Sequence, residues 1–159
     1  MDIRFGPDFI RKQFSSQDVV SRWSASKAFK SATARNASDF LDRLIEKSPF
    51  LIRAIQVDGG SEFKAEFEDA CRLKDIRLFA LPPRSPKLNG QVERVNRSYT
   101  EEFYEVHPIP LDVDLHNEQL DRWDNVYNTI RPHHALRSKT PQEFLDSLSE
   151  NRDELSPMY

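Results

Sequence analysis

Apolar and polar positions along this chain follow two periods, and each change of period marks an element. Residues 1–5 read as a short strand cut off by Gly6-Pro7, followed by extended stretches over about 9–20 and 22–30, rich in β-formers and serine. Ala37, Phe40, Leu41, Leu44 and Ile45 then recur at helical spacing as one stripe, which Ser48-Pro49 ends. Ile52 to Val57 predicts a buried strand ending at Asp58 and the Gly59-Gly60 turn. Ser61 is expected to cap a second helix with Phe63, Phe67, Ala70 and Cys71 on its inner face. A strand follows over 76–81, and the Pro/Gly-rich segment 82–90 predicts a loop.

A third helix is expected from about Gln91, with Val92, Val95, Tyr99 and Phe103 inward, and a fourth with Leu120, Trp123, Tyr127 and Ile130. Thr140-Pro141-Gln142-Glu143 is a capping box with proline at the first helical position, so a further short helix follows. The order β-β-β-α-β-α-β-α and then helix predicts an α/β fold with a mixed sheet flanked by helices.

Composition narrows the class. The 159 residues are 38% apolar and 31% charged, with a mean hydropathy of −0.69. No apolar run is long enough to span a membrane, and the first residues lack a signal-peptide pattern, so a cytoplasmic protein is expected. One cysteine, Cys71, excludes an internal disulfide framework and a cysteine zinc cluster. The net charge of −3 would seem to disfavour a nucleic-acid partner. However, residues 1–100 hold 18 basic against 13 acidic residues, while 101–159 hold 5 against 13. Recognition depends on such local patches.

Two acids stand out. Asp58 ends a strand just before a Gly-Gly turn, where open α/β sheets bind ligands. Glu93 lies in the first turn of the expected third helix, on a polar stripe with Asn96, Arg97 and Thr100. Together they could hold Mg2+ or Mn2+, the arrangement used in two-metal phosphodiester chemistry. Arg84, Lys87, Arg94 and Arg97 would position a phosphate backbone. The plainer alternatives are a turn aspartate, a helix-dipole glutamate and a solvated face.

The literal blocks Asp58-Gly59-Gly60-Ser61-Glu62-Phe63, Ser85-Pro86-Lys87-Leu88-Asn89-Gly90-Gln91-Val92-Glu93-Arg94, Arg131-Pro132-His133-His134-Ala135-Leu136 and Thr140-Pro141-Gln142-Glu143-Phe144 stand in order along the chain. This sequence resembles the catalytic core of insertion-sequence transposases of the retroviral-integrase (DDE) type. The resemblance implies an RNase-H-like fold, DNA cleavage and transfer with two Mg2+ (or Mn2+) ions, and a homodimer or larger assembly on DNA. It implies Asp58 as the second acid and Glu93 as the third, with 34 residues between them where the family leaves about 35, a tolerable difference in loop length. Gly59 stands where the family often has Asn. The first acid belongs in the first strand, where Asp2 is the candidate; similar transposases carry theirs a few residues before that position. Asp18 matches a non-catalytic acid of the pattern.

By the same resemblance, 1–106 is the catalytic core with a truncated first strand, 107–150 its helical extension and 151–159 a tail. Loop 82–90 would move over DNA about Asn89-Gly90, which with Asn96 join the DNA-contact candidates. An inactive remnant that at most dimerises or binds DNA is the alternative. His133-His134 is expected to contact the last carbonyls of a helix, and Trp23, Trp123 and Tyr127 to be core or interface.

Overall fold

Alternation over the first thirty residues builds three strands: β1 (Asp2–Phe5), β2 (Phe9–Gln17) and β3 (Ser24–Phe29). They pair antiparallel in the order β1-β2-β3, with Lys12 opposite Asp2 on one side and Phe29 on the other. A computed structural model describes residues 1–5, 9–81 and 86–154, with backbone alone at 86–89, 91 and 151–154. The α1 helix (Ala34–Lys47) is capped by the Thr33 hydroxyl, which accepts the Asn36 N–H, and its chain leaves the helical region at Ser48 before Pro49. Then come β4 (Ala54–Val57), α2 (Glu66–Leu73) and β5 (Arg77–Ala80), with β4 and β5 parallel. The remaining helices are α3 (Pro86–Ser98), continued by a π-helical turn over Tyr99–Tyr104, α4 (Val113–Thr129) and α5 (Pro141–Glu154). Among the described residues, no helix is long and apolar enough to cross a membrane.

Two cores sandwich the strands. Phe14, Phe40, Leu41, Val57, Phe67, Cys71 and Ile76 pack α1 and α2 on one side, while Ala28, Val95, Tyr99, Phe103, Leu120 and Tyr127 pack α3 and α4 on the other. Trp23 and Leu44 form a third cluster that reaches Leu145 of α5. The capping box forms as expected: the Thr140 N–H donates to Glu143 Oε2 at 2.8 Å, and the Glu143 N–H to Thr140 Oγ1 at 3.2 Å.

Several expectations are corrected. The mixed α/β fold is present, its strands lying in a three-stranded antiparallel and a two-stranded parallel sheet. The Met1 amine at the start of β1 is in electrostatic reach of Asp58 at the end of β4. The third helix starts at Pro86, not Gln91, because proline suits a first helical turn. Asn89 and Gly90 therefore lie in helix rather than in a loop. Residues 82–85, including Arg84, and the side chains of Lys87 and Asn89 lie outside the described residues. Ser61 opens a single 3-10 turn (Ser61–Phe63), and α2 begins only at Glu66. Ile45, Val92 and Ile130 face solvent, so the apolar stripes are narrower than their periodicity suggests.

The most consequential packing lies along the free edge of β3. The edge N–H and C=O groups of Ser24, Ser26 and Ala28 would otherwise need a neighbouring strand or water. Instead, Asn128 Nδ2 donates to the Ser24 carbonyl at 2.7 Å and its Oδ1 accepts the Ser24 N–H at 2.9 Å. Asn117 bridges Ala28 in the same way, at 2.8 and 3.0 Å. Between them, Asp124 Oδ2 accepts the Ser26 N–H at 2.8 Å, and Arg43 of α1 donates to the Ser26 carbonyl at 3.3 Å. Asn117, Asp124 and Asn128 lie seven and four residues apart, hence on one face of α4. That face does the work of a strand.

Asp124 also accepts from Tyr99 Oη at 2.6 Å and from Ser26 Oγ at 3.0 Å. Burial dominates its titration and pushes its pKa from 3.8 up to about 7. Asn128→Ala, which orphans two buried edge groups, should cost about 2–4 kcal/mol in urea unfolding. Because the folded pKa of Asp124 lies above the unfolded one, its stabilising contribution is complete below about pH 4 and is lost as pH rises through 7. Asp124→Asn should flatten that part of the stability profile, measured by denaturant unfolding at successive pH values.

Candidate metal and nucleic-acid site

Asp58 follows β4 directly and is exposed. Its Oδ1 accepts the Gly60 N–H at 3.1 Å, so it is a turn residue as well as a site candidate. Gly59 has φ +80, in the left-handed region that favours glycine and, among side-chain residues, asparagine. Gly59 thus suits the conformation that this turn requires. A Cβ on Gly60 would lie 2.6 Å from the Glu62 carboxylate. Glu62 is the acid that sequence reading passed over. Like Asp58, it lies within electrostatic reach of the Met1 amine. The only sequence signal for it is its place four residues after Asp58.

Glu93 stands on the exposed side of α3, with Arg94 and Arg97. Val95 and Tyr99 are buried, and they turn this side outward. Asn96, expected on the solvent stripe, is half-buried and accepts a hydrogen bond from Ser15 Oγ at 2.6 Å, fastening α3 to β2. Thr100 donates to the Asn96 carbonyl at 3.1 Å and lies 3.8 Å from the Met1 sulfur. Met1 and α3 are therefore neighbours.

Asp2 is placed differently. Side chains alternate across a strand. Met1 packs against the cluster of Val95, Tyr99 and Phe103, so Asp2 points to the opposite face. There Lys12 Nζ holds both its oxygens at 2.8 Å and draws its pKa down. The structure thus sets Asp2 apart from the face that α3 covers. Among the described residues, no group of three or more His, Cys, Asp or Glu stands ready to hold a metal ion.

Asp18 is structural: its Oδ2 accepts from the N–H groups of Val20 and Ser21, at 3.1 and 2.6 Å, and from the Ser21 hydroxyl at 2.7 Å. His133 is buried with Nε2 3.3 Å from the Tyr127 carbonyl, the helix-end contact expected of it.

The fold is that of retroviral integrase catalytic cores, which are RNase-H-like. A chain of the simian T-cell lymphotropic virus intasome, solved with the PP2A regulatory subunit B56 gamma, superposes with a TM-score of 0.74 at 20% identity, over 91% of this chain and 51% of that one. The HTLV-2 integrase catalytic core domain, solved in complex with magnesium in a trimeric form, superposes with a TM-score of 0.65 at 19% identity, over 91% of this chain and 90% of that one.

In sequence, residues 74–141 match the integrase core domain family. The conjectured integrase ORF3 of Spiroplasma virus SpV1-C74 is 32% identical over 149 residues, 83% of this chain and 41% of that protein. An uncharacterized protein of insertion element IS136 from Agrobacterium fabrum is 26% identical over 123 residues, 72% of this chain and 63% of that protein. The chain thus spans less than two thirds of these relatives' length. In sequence and in fold the chain is thus similar to integrase cores.

The turn after β4 is testable without any activity. Gly59→Val should cost about 1–2 kcal/mol, whereas Gly59→Asn should fall well short of that, read by thermal unfolding of both variants.

Proposed function

We propose that this chain is the core of a metal-dependent enzyme that cleaves DNA strands and joins them to a new target, as in transposition. The observation that carries this reading is the presence of Asp58 at the end of β4 and Glu93 on the outer side of α3, in a chain with integrase-core relatives. The donors fit a metal in kind: the carboxylate oxygens of Asp58 and Glu93 suit hard divalent cations. Asp58 and Glu93 would hold Mg2+ or Mn2+, two ions in the full reading; the HTLV-2 neighbour is a magnesium complex. Bound there, such ions would polarise a phosphodiester and activate an attacking water or DNA 3′-hydroxyl.

The remaining work falls to the chain's own groups. The Gly60 N–H orients the Asp58 carboxylate. The Ser15–Asn96 bond sets the height of α3, and with it that of Glu93, against the sheet. Arg94 and Arg97, with Arg84, Lys87, Asn89 and Gly90, would track the DNA backbone. Asn96 would support them from its bond to Ser15. The partners are element-end and target DNA and further copies of the chain.

A second reading has its own observation. Because Asp2 is turned toward Lys12, it would serve as a third acid only by leaving that partner. This favours a core that binds DNA and assembles without cutting it.

The deciding assay is Mg2+-dependent nicking and strand transfer on an end-mimicking duplex. Asp58→Asn and Glu93→Gln should each lower the rate by roughly 100-fold or more. Asp2→Asn, which removes an exposed ion pair worth about 0–1 kcal/mol, should leave the rate within several-fold of wild type. Equal rates for wild type and Asp58→Asn would overturn the enzymatic reading, and wild-type binding without cleavage would favour the second.

A further inference from the structure

A pocket of about 320 Å³ lies beside α3, where the β2–β3 turn meets the end of α4. Arg22, Arg94, Ser98, Tyr127, Arg131 and His134 contribute to its lining. Arginines from three separate elements thus line one cavity. One of them is neutralised: Arg131 donates to both Glu102 oxygens, at 2.7 and 2.5 Å. Among the described residues, neither Arg22 nor Arg94 has a carboxylate partner, so the pocket keeps two uncompensated positive charges.

Its walls are also held in place. Arg131 covers the Tyr127 ring at 5.3 Å, and His133 packs edge-on to the same ring at 4.7 Å. The Tyr127 hydroxyl accepts from Gln17 Nε2 at 2.9 Å. Arg22 is positioned by the turn that Asp18 closes, and its own N–H donates to the Asp18 carbonyl at 3.1 Å. It has φ +64, a conformation that residues with side chains rarely adopt. Glycine would be the relaxed choice there, yet the position carries a cation.

Two unpaired guanidiniums in a preformed cavity match the bidentate, charge-assisted recognition of a phosphate. Arg94 adjoins Glu93 in sequence, so the same helix carries the pocket wall and a candidate metal ligand. From this we infer that the pocket is a subsite for a DNA backbone phosphodiester, in which Arg22 and Arg94 grip one phosphate and set the strand's position relative to α3. The inference rests on the DNA-processing reading above and adds to it a contact outside the 84–97 segment.

The test is anisotropy of a labelled duplex oligonucleotide titrated with the full chain over a range of salt. Arg22→Gly removes the cation and suits the left-handed backbone, so the variant should unfold at or near the wild-type temperature. It should bind roughly tenfold more weakly, with the log-log salt slope reduced by about 0.9, the value for one phosphate contact. Arg94→Ala should behave alike, and the double variant should lose little more than either single one, because both grip the same phosphate. Arg35→Ala, an exposed cation on α1, is the charge control and should change affinity far less. Equal losses from Arg22→Gly and Arg35→Ala, or an unchanged Arg22→Gly, would overturn the subsite while leaving the DNA-binding reading intact. Absence of salt-dependent duplex binding by the wild type would overturn both.

Discussion

The constraint on which the rest of this structure depends is the sealing of the β3 edge. A three-stranded antiparallel sheet has two edges, and β3 forms one of them with its backbone groups turned toward α4. Left dry and unpaired, each such group would cost about 1–3 kcal/mol. Asn117, Asp124 and Asn128 of α4, with Arg43 of α1, satisfy the N–H and C=O of Ser24, Ser26 and Ala28. Arg43 and Lys47 also bind Asp121 of α4, which ties the two helices across the edge. Because amide and carboxylate groups must meet specific backbone positions, the contact fixes the axial position and rotation of α4. Apolar packing alone would tolerate sliding.

From that registration the functional face follows. Tyr99, which continues α3 into its π-helical turn, donates to Asp124, so the helix bearing Glu93 is set by the same buried carboxylate that caps β3. Tyr127, one residue before Asn128, is held over the end of β2, and Arg131 and His133 gather on its ring. The basic pocket is therefore an outcome of how α4 meets β3. The Asp58 corner depends on different physics: a strand end, an Asx turn and a glycine at positive φ. The geometry there is local and relatively stiff, whereas α3 is aligned by long-range polar contacts.

What was legible in the sequence was mostly local. The α1 stripe, the Thr140–Glu143 capping box and the Asp58-Gly59-Gly60 turn involve residues within a few positions of each other, where spacing decides contact. The start of α3 is hidden in the sequence because Pro86, in a proline-rich stretch, looks like loop although proline is compatible with a first helical turn. On α4, Asn117, Asp124 and Asn128 look like a solvated face, since nothing local announces partners about 90 to 100 residues earlier. Asp2 posed a related problem. Its strand was correctly read, but which face of a four-residue strand is buried depends on what covers it.

The sequence by itself determined the order of elements, the acids at a strand end and on a helix, and the division of charge between the first hundred residues and the remainder. These follow from periodicity, turn chemistry and composition, all properties of neighbouring residues. Only the tertiary structure decided that Asp2 faces Lys12, that Glu62 joins the Asp58 corner, and that Arg22 and Arg94 share a cavity unneutralised while Arg131 is matched by Glu102. Each depends on which distant segments meet. That was set by burial and by pairing polar groups along a strand edge.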